Sequence, residues 1–336
     1  MGRRIRVVRA DTLYEICPRA REGLPLPPTD TTNQLLAGIL ARTQRDDKVT
    51  LCNFVEMNNH THQHVIPDDP HKHVKFYMEY QKKVTDTVRK LTKLKCLQLW
   101  EERPSVFFLA ELDDAIRRIV YLFLNPAKAG LVASIDDYPG LNTWHAFKTC
   151  EPSVEAEVTL RAQWTPVSVL EALPEGNRLS PANDREMARR LRETEGTLEY
   201  TLTLKPLAWL KVYGVTNPQQ IQAIRQRIID AVYAEEATLA KERVEHGKPI
   251  LGPERLKQQQ YLRSHTPKKK ARRIFVICGN DVLRPQIIAA HKEISDRHSK
   301  CYQNLKDGRP HEWPPGTFIP WVPPKVCRPA YQTSFC

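Results

Sequence analysis

The 336-residue chain lacks any apolar run long enough to cross a bilayer, which needs roughly 18–20 consecutive apolar residues. Four arginines lie among its first ten residues, and no apolar segment follows them, so they do not form a secretory signal. We therefore expect a cytoplasmic protein with no membrane partner. Its 41% content of hydrophobic residues is still enough to build a sizeable core.

The eight cysteines stand singly, and no two of them form a Cys-x-x-Cys pair. This absence argues against a zinc ribbon and, in a chain of this length, against a disulfide framework. We expect free thiols that are mostly buried. The sequence also contains no internal repeat.

The formal net charge of +12 favours polyanionic partners, because each phosphate that a protein neutralises releases a counterion. The alternative is a solvated basic surface, since many basic proteins bind no nucleic acid. Two basic segments are candidates for contacts with DNA phosphates. They contain Arg3, Arg4, Arg6, Lys268, Lys269, Lys270, Arg272 and Arg273.

Hydrophobic periodicity predicts the element order β-α-β-β-α-β-α for residues 1–150, an α+β domain of a sheet with packed helices. Asp113–Leu124 has one apolar helical face, and Pro126 predicts an end or kink near Asn125. We expect residues 151–309 to form a second, α+β or mainly helical region, with strand candidates at Val158–Trp164, Leu198–Leu204 and Ile274–Cys278. Residues 310–336 form a proline-rich tail with no core of its own.

Five of the eleven histidines lie between positions 60 and 73. In a strand, side chains at i and i+2 point to the same face, so His60 and His62 are spaced to share one divalent metal ion. Mg²⁺, Mn²⁺ and Zn²⁺ all suit such a pair when substrate phosphate completes the ligands. His64 follows on the same face as a further candidate. A surface histidine stretch is the alternative, and we expect His71 and His73 at an exposed helix start.

Two segments resemble the REP-associated tyrosine transposases, a family of HUH single-strand nucleases. Met57–His62 (MNNHTH) is similar to their Met-Pro-Asn-His-x-His segment, and Tyr121–Val132 (YLFLNPAKAGLV) is similar to Tyr-Ile-His-Leu-Asn-Pro-Val-Arg-Ala-Gly-Leu-Val. Trp100 and Arg103 fit a preceding Trp-x-x-Arg. The resemblance covers roughly residues 3–147.

The resemblance implies a five-stranded antiparallel sheet with packed helices, usually as a homodimer. It also implies single-stranded or hairpin DNA as substrate, with Mg²⁺ or Mn²⁺ on His60 and His62. A helical tyrosine of the family attacks the phosphate and leaves a 5′-phosphotyrosine and a free 3′-hydroxyl. Arg103 and Lys128, which lie in the matched segments, join the candidate DNA-binding residues.

The chain departs from the family pattern at the expected nucleophile. An ungapped alignment puts Asp114 at the position of the family's nucleophilic tyrosine, and a shift of two residues puts Ile116 there. Asp114 could instead be a third metal ligand, since carboxylates suit hard cations. Tyr121 could be the nucleophile only if the metal site lies near its turn of the helix. The family also has a tyrosine at this position, beside its catalytic one, which favours a structural role in which the Tyr121 hydroxyl forms a packing hydrogen bond. On the neighbouring strand, polar Thr61 and Gln63 occupy a face that should pack against helices, so both need partners.

Three functions remain open on the sequence. The first is an active, metal-dependent transposase or single-strand DNA endonuclease. The second, which the missing nucleophile favours, is a DNA-binding derivative with absent or altered cleavage. The third is a histidine-rich metal-binding protein, which would not explain the Tyr121–Val132 segment or the basic charge.

Overall fold

The structure is a computed structural model that describes residues 7–101, 103–172, 179–262 and 275–318. The chain divides into two compact units, Arg9–Arg284 and a smaller unit made of Met1–Val8 with Pro285–Cys336. The basic residues predicted at positions 3–6 and 268–273 lie outside the described residues.

Among the described residues, the larger unit contains one seven-stranded sheet. Its strands are β1 (Tyr14–Cys17), β2 (Val49–Glu56), β3 (Thr61–Pro67), β4 (Ser105–Leu109), β5 (Val158–Trp164), β6 (Leu198–Leu204) and β7 (Val276–Ile277). Their order in the sheet is β5-β6-β2-β3-β1-β4-β7. The four central strands pair antiparallel, whereas β2 with β6 and β4 with β7 pair parallel. The α+β prediction is confirmed, in a sheet that is larger and more mixed than the five antiparallel strands the resemblance implies.

The helices are α1 (Asp30–Asp47), α2 (Pro70–Thr92), α3 (Leu112–Lys128), α4 (Trp144–Thr149), α5 (Val167–Ala172), α6 (Asp184–Glu193), α7 (Trp209–Val212), α8 (Pro218–Glu245), α9 (Pro253–Lys257) and α10 (Leu283–Lys306). The order β1-α1-β2-β3-α2-β4-α3 is the one predicted from periodicity. Among the described residues, no helix is both long and apolar enough to cross a membrane.

The sheet separates two apolar cores. Val65 packs with residues of α1 and α2 on one face, whereas Ile66 packs with residues of α3 and α8 on the other. Because adjacent strand residues point to opposite faces, this assigns His62 and His64 to the α3 face, and Thr61 and Gln63 to the α2 face. The histidine strand is therefore covered on both sides.

Two local expectations need correction. Helix α3 continues through Pro126 to Lys128 instead of ending near Asn125. Proline has no N–H, so the carbonyl four residues earlier loses its helical donor, and the rest of the last turn still follows the helix. In α2, His71 is exposed as expected, but His73 is fully buried. Its ring lies 5.2 Å from the ring of Tyr14, so packing of the helix onto the sheet covers it.

Strands β5 and β6 come from residues 151–309, the region that the sequence separates from the first domain, yet they extend the same sheet. Leu204 of β6 pairs with Leu51 of β2. Six cysteines fall within the described residues and all are free. Four of them are buried, as expected from the sequence.

The smaller unit contains most of α10 and the segment that returns along it. The ring of His298 lies 4.8 Å from the ring of Trp313, and the thiol of Cys301 donates to the carbonyl oxygen of Glu312 at 2.9 Å. The amide of Val8 donates to the carbonyl oxygen of Gly316 at 3.0 Å. The proline-rich tail, as far as residue 318, therefore packs without forming a helix or strand of its own.

Candidate metal and nucleophile site

The paired histidines lie side by side, as their spacing predicts. His62 is in β3, and His60 precedes the strand and forms an isolated bridge with Arg19. The two imidazole centroids are 5.0 Å apart, and their planes are nearly perpendicular. His62 is 1% exposed, whereas His60 is half-buried and marks the more accessible side of the pair.

Each imidazole forms a hydrogen bond within the protein through one ring nitrogen, Nδ1. Nδ1 of His62 lies 2.5 Å from a carboxylate oxygen of Glu15, and Nδ1 of His60 lies 2.8 Å from Oδ1 of Asn59. Because both partners are acceptors, each Nδ1 donates its proton and each Nε2 keeps its lone pair. Among the described residues, Nε2 of His62 has no hydrogen-bond partner although it is buried.

The two imidazoles are neutral at physiological pH. Burial lowers the pKa of His60 well below its usual value, and the neighbouring His62 and Arg19 lower it further. Burial also lowers the pKa of His62, and the hydrogen bond to Glu15 offsets only part of that effect. Neutral imidazole is the form that binds metal ions.

A buried ion pair lies beneath His62. Glu15 of β1 is fully buried, and Arg118 of α3 donates to both oxygens of its carboxylate, with Nη2 at 2.9 Å from Oε1. Burial alone would raise the pKa of Glu15, but the hydrogen bond from His62, the nearby His64 and the charge of Arg118 hold it well below its usual value. Glu15 is therefore ionised.

Cys17 completes this network. Its thiol lies 3.0 Å from Nδ1 of His62 and donates to Glu15 at 3.2 Å. Glu15, Cys17 and His62 are close enough to form one candidate metal group. However, burial raises the pKa of Cys17 well above its usual value, so the thiol keeps its proton and acts as a hydrogen-bond donor rather than as a thiolate ligand.

His64, the further candidate, is fully buried. Its Nε2 lies 3.9 Å from the carboxylate of Glu15, which is opposite it in the β1–β3 register. It therefore lies deeper in the sheet than His60 and His62.

Tyr121 is the tyrosine of α3 that faces the histidines. Its ring stands edge-on to the ring of His62, with centroids 5.9 Å apart. The guanidinium of Arg118 lies 4.3 Å from the centre of the Tyr121 ring, and the ammonium of Lys128 lies 5.3 Å from it. One turn further, Asn125 is buried, and its Nδ2 has no partner among the described residues. The later turns of α3 therefore border the histidine pair. Tyr121 could be the nucleophile only if the metal site lay near its turn of the helix, and the histidine pair does.

Asp114 lies elsewhere, in the first turn of α3. Its Oδ1 accepts from the amide of Gly279 at 2.9 Å and from Arg117 at 2.6 Å. It forms a candidate metal group with Glu111 and Cys278, and no such group in the described part of the chain unites it with His60 or His62. Seven residues of helix rise by about 10 Å, which separates Asp114 from the turn that carries Tyr121.

Of the predicted DNA-binding residues within the described part of the chain, Lys128 borders Tyr121 and Arg103 is exposed just before β4. Sequence reasoning missed Glu15 and Arg118. One signal was available for Glu15, because it is an acidic residue within the otherwise apolar run Leu13–Cys17, and a buried acidic residue is almost always paired.

No protein-family model and no curated protein matches the chain. A solved structure described as "Structure of the REP associates tyrosine transposase bound to a REP hairpin" is similar to it. The two share 20% identity over 44% of this chain and 84% of that chain, with a TM-score of 0.36. That protein is of the family whose motifs the sequence resembles.

Proposed function

We propose that the chain is a DNA-binding, transposase-like protein that cleaves single-stranded or hairpin DNA with Tyr121 as the nucleophile. One observation carries this proposal: the Tyr121 ring stands 5.9 Å from the ring of His62, beside the histidine pair. The resemblance implies a helical tyrosine beside two histidines, and in this chain Tyr121, rather than the aligned Asp114 or Ile116, lies beside the pair. A DNA-binding derivative with absent or altered cleavage stays the alternative prediction, and the presence of Tyr121 at the turn of α3 that faces the histidines supports cleavage instead.

The residues fit a divalent metal ion, Mg²⁺ or Mn²⁺, on Nε2 of His60 and of His62. The fit rests on the buried Nε2 of His62, which lacks a partner among the described residues, and on the neutral state of both imidazoles. When bound, the metal supplies Lewis-acid polarisation of the scissile phosphate. Asp114 is not part of this proposal.

Tyr121 would form a bond from its phenolic oxygen to phosphorus as the bond from phosphorus to the 3′-oxygen breaks. The products are a 5′-phosphotyrosine and a free 3′-hydroxyl, and the phenol loses one proton while the leaving oxygen gains one. Lys128, whose ammonium lies 5.3 Å from the ring, provides positive charge for the phosphate.

The basic surplus supports DNA as the partner. Arg103 and Lys128 are exposed in the described chain, and the net charge is +12. Phosphate contacts of this kind position DNA without reading its sequence. The hairpin preference, the dimer and the cytoplasmic location stay predictions.

The test is incubation of the full chain with 3′-end-labelled hairpin DNA and Mn²⁺, followed by denaturing gel electrophoresis, because the 3′ label stays on the strand whose 5′-phosphate joins the tyrosine. We expect a covalent adduct with the wild type and none with Tyr121→Phe. Tyr233→Phe is the matched control, because Tyr233 is 39% exposed on α8 and makes no contact with His62.

Two outcomes would contradict the proposal. DNA binding without any adduct in the wild type would identify a binding protein that has lost cleavage. An adduct lost only in Tyr77→Phe or Tyr80→Phe would place the nucleophile on α2, among side chains buried on the opposite face of the sheet.

A further inference from the structure

Glu15 contacts both parts of the proposed site, the metal-binding His62 and the turn of α3 that carries Tyr121. It lies in β1, the strand between β3 and β4, and faces His64 in one neighbour and Phe107 in the other. Its side chain is fully buried, and burying a carboxylate is costly unless it is paired and hydrogen-bonded. Both oxygens of the carboxylate accept hydrogen bonds, and these bonds offset the cost of burying its charge in the sheet.

The first partner is His62. The carboxylate accepts a proton-bearing Nδ1 at 2.5 Å, which sets both the tautomer and the plane of the imidazole. A carboxylate behind a histidine in this way fixes which ring nitrogen faces a metal ion and makes that nitrogen a better ligand. The nitrogen left over is Nε2, the atom without a partner in the described chain.

The second partner is Arg118, which donates two hydrogen bonds to the same carboxylate from α3. Arg118 lies three residues before Tyr121, and its guanidinium is 4.3 Å from the centre of that ring. A bidentate arginine has a fixed planar geometry, so it restricts the position of the helix turn that carries it.

We propose that Glu15 is a positioning residue that presents Nε2 of His62 to the metal ion and, through Arg118, holds the Tyr121 turn of α3 against it. This inference rests on the proposed function for the metal ion and the nucleophile. The hold of Glu15 on the His62 tautomer does not depend on either.

The competing role for Glu15 is that of a direct ligand, with Cys17 and Nδ1 of His62 in one metal group. The geometry disfavours it, because both carboxylate oxygens already accept from Arg118. A metal ion at Nδ1 would have to displace that guanidinium or lie beside a second positive charge. The experiment separates the two roles.

The first measurement uses metal-free, DNA-free protein and long-range ¹H–¹⁵N spectra of the imidazoles. We expect wild-type His62 to be protonated at Nδ1, and Glu15→Ala to shift it towards a mixture with the Nε2-protonated form. Glu56→Gln is the matched control, because Glu56 is a buried glutamate on the opposite face of the sheet. A wild-type His62 protonated at Nε2 would overturn the inference even if no variant folds.

The second measurement is Mn²⁺ binding by titration calorimetry. We expect Glu15→Ala and Glu15→Gln to raise the Kd about 10–100-fold, the usual effect of losing such a supporting group. The Glu56→Gln control should leave the Kd unchanged. An unchanged Kd in both Glu15 variants would refute the positioning role, and binding abolished as completely as in His62→Ala would make Glu15 a ligand.

The third measurement tests the link to Tyr121. Arg118→Lys keeps the charge but loses the bidentate geometry. We expect it to leave Mn²⁺ affinity and the His62 tautomer unchanged and to slow adduct formation at saturating Mn²⁺. Adduct formation at the wild-type rate would refute that half of the inference. If the wild type forms no adduct, the proposed function fails, while the tautomer measurement still decides the hold of Glu15 on His62.

Discussion

Glu56 should make the protein less stable as the pH rises, because its carboxyl is buried at the end of β2. It accepts hydrogen bonds from Thr61 and from Gln63, the latter at 3.2 Å. Glu56 is therefore the hydrogen-bond partner that Thr61 and Gln63, the two polar residues on the α2 face of β3, require. Burial raises the pKa of Glu56 from its usual 4.5 to about 7, and these hydrogen bonds offset only part of that effect.

A raised pKa means that the folded state holds the proton more tightly than the unfolded chain does. Its stabilising contribution is fully present below pH 4.5 and is lost as the pH rises through about 7. The difference between these two values, at about 1.4 kcal/mol per pKa unit, corresponds to about 3 kcal/mol of lost stability at pH 8. At pH 5 the loss is about 1 kcal/mol.

Glu56→Gln removes the titration while it keeps an acceptor oxygen for Thr61. We expect the difference in free energy of unfolding between the wild type and Glu56→Gln, measured by urea denaturation, to change by about 2–3 kcal/mol from pH 5 to pH 8, with the wild type losing stability relative to the variant. The other titrating groups, including His60 and His62, are common to both proteins and cancel in this difference. Glu79→Gln is the control, because Glu79 is partly exposed and Lys83 lowers its pKa, so its curve should not gain stability relative to the wild type as the pH rises. Parallel curves for the wild type and Glu56→Gln would refute the reasoning.

Three further predictions follow from the sequence and the packing. Replacing both His60 and His62 with alanine should abolish Mn²⁺ binding in a calorimetric titration, and unchanged binding would remove the metal assignment. Replacing the basic residues of 268–273 with alanine should weaken binding to all DNA sequences and flatten the dependence of log affinity on log salt. An unchanged slope would show that this run does not contact DNA. Gly38→Ala should lower the free energy of unfolding by about 1–3 kcal/mol, because a Cβ on α1 would lie 2.0 Å from the carbonyl oxygen of Gln163. A urea midpoint equal to that of the wild type would contradict this packing.

The local sequence pattern was enough to predict most helices and strands of the fold. Strands β5 and β6 lie at the residues that apolar and β-branched composition predicts, and α3 follows its apolar stripe of Ile116, Ile119 and Phe123. Periodicity carried less information about exposure. His73 follows a turn and looks like a surface residue, but the packing of α2 onto the sheet buries it.

The sequence by itself determined the pairing of His60 with His62, because a period of two along an extended strand is a local property of the backbone. It also determined that a tyrosine, Tyr121, lies in the helix after β4. Alignment with the family predicted Asp114 as a metal ligand and an absent nucleophile. An alignment specifies a position along the chain, but it does not specify which face of the helix points towards the histidines.

Only the tertiary structure decided which residues surround the histidines. Glu15 reaches His62 because β1 pairs with β3 across more than forty residues of chain. Arg118 and Tyr121 reach the same place because α3 packs on that face of the sheet, with its later turns beside His62. Strand register and helix packing depend on long-range burial, and no spacing within one segment encodes them.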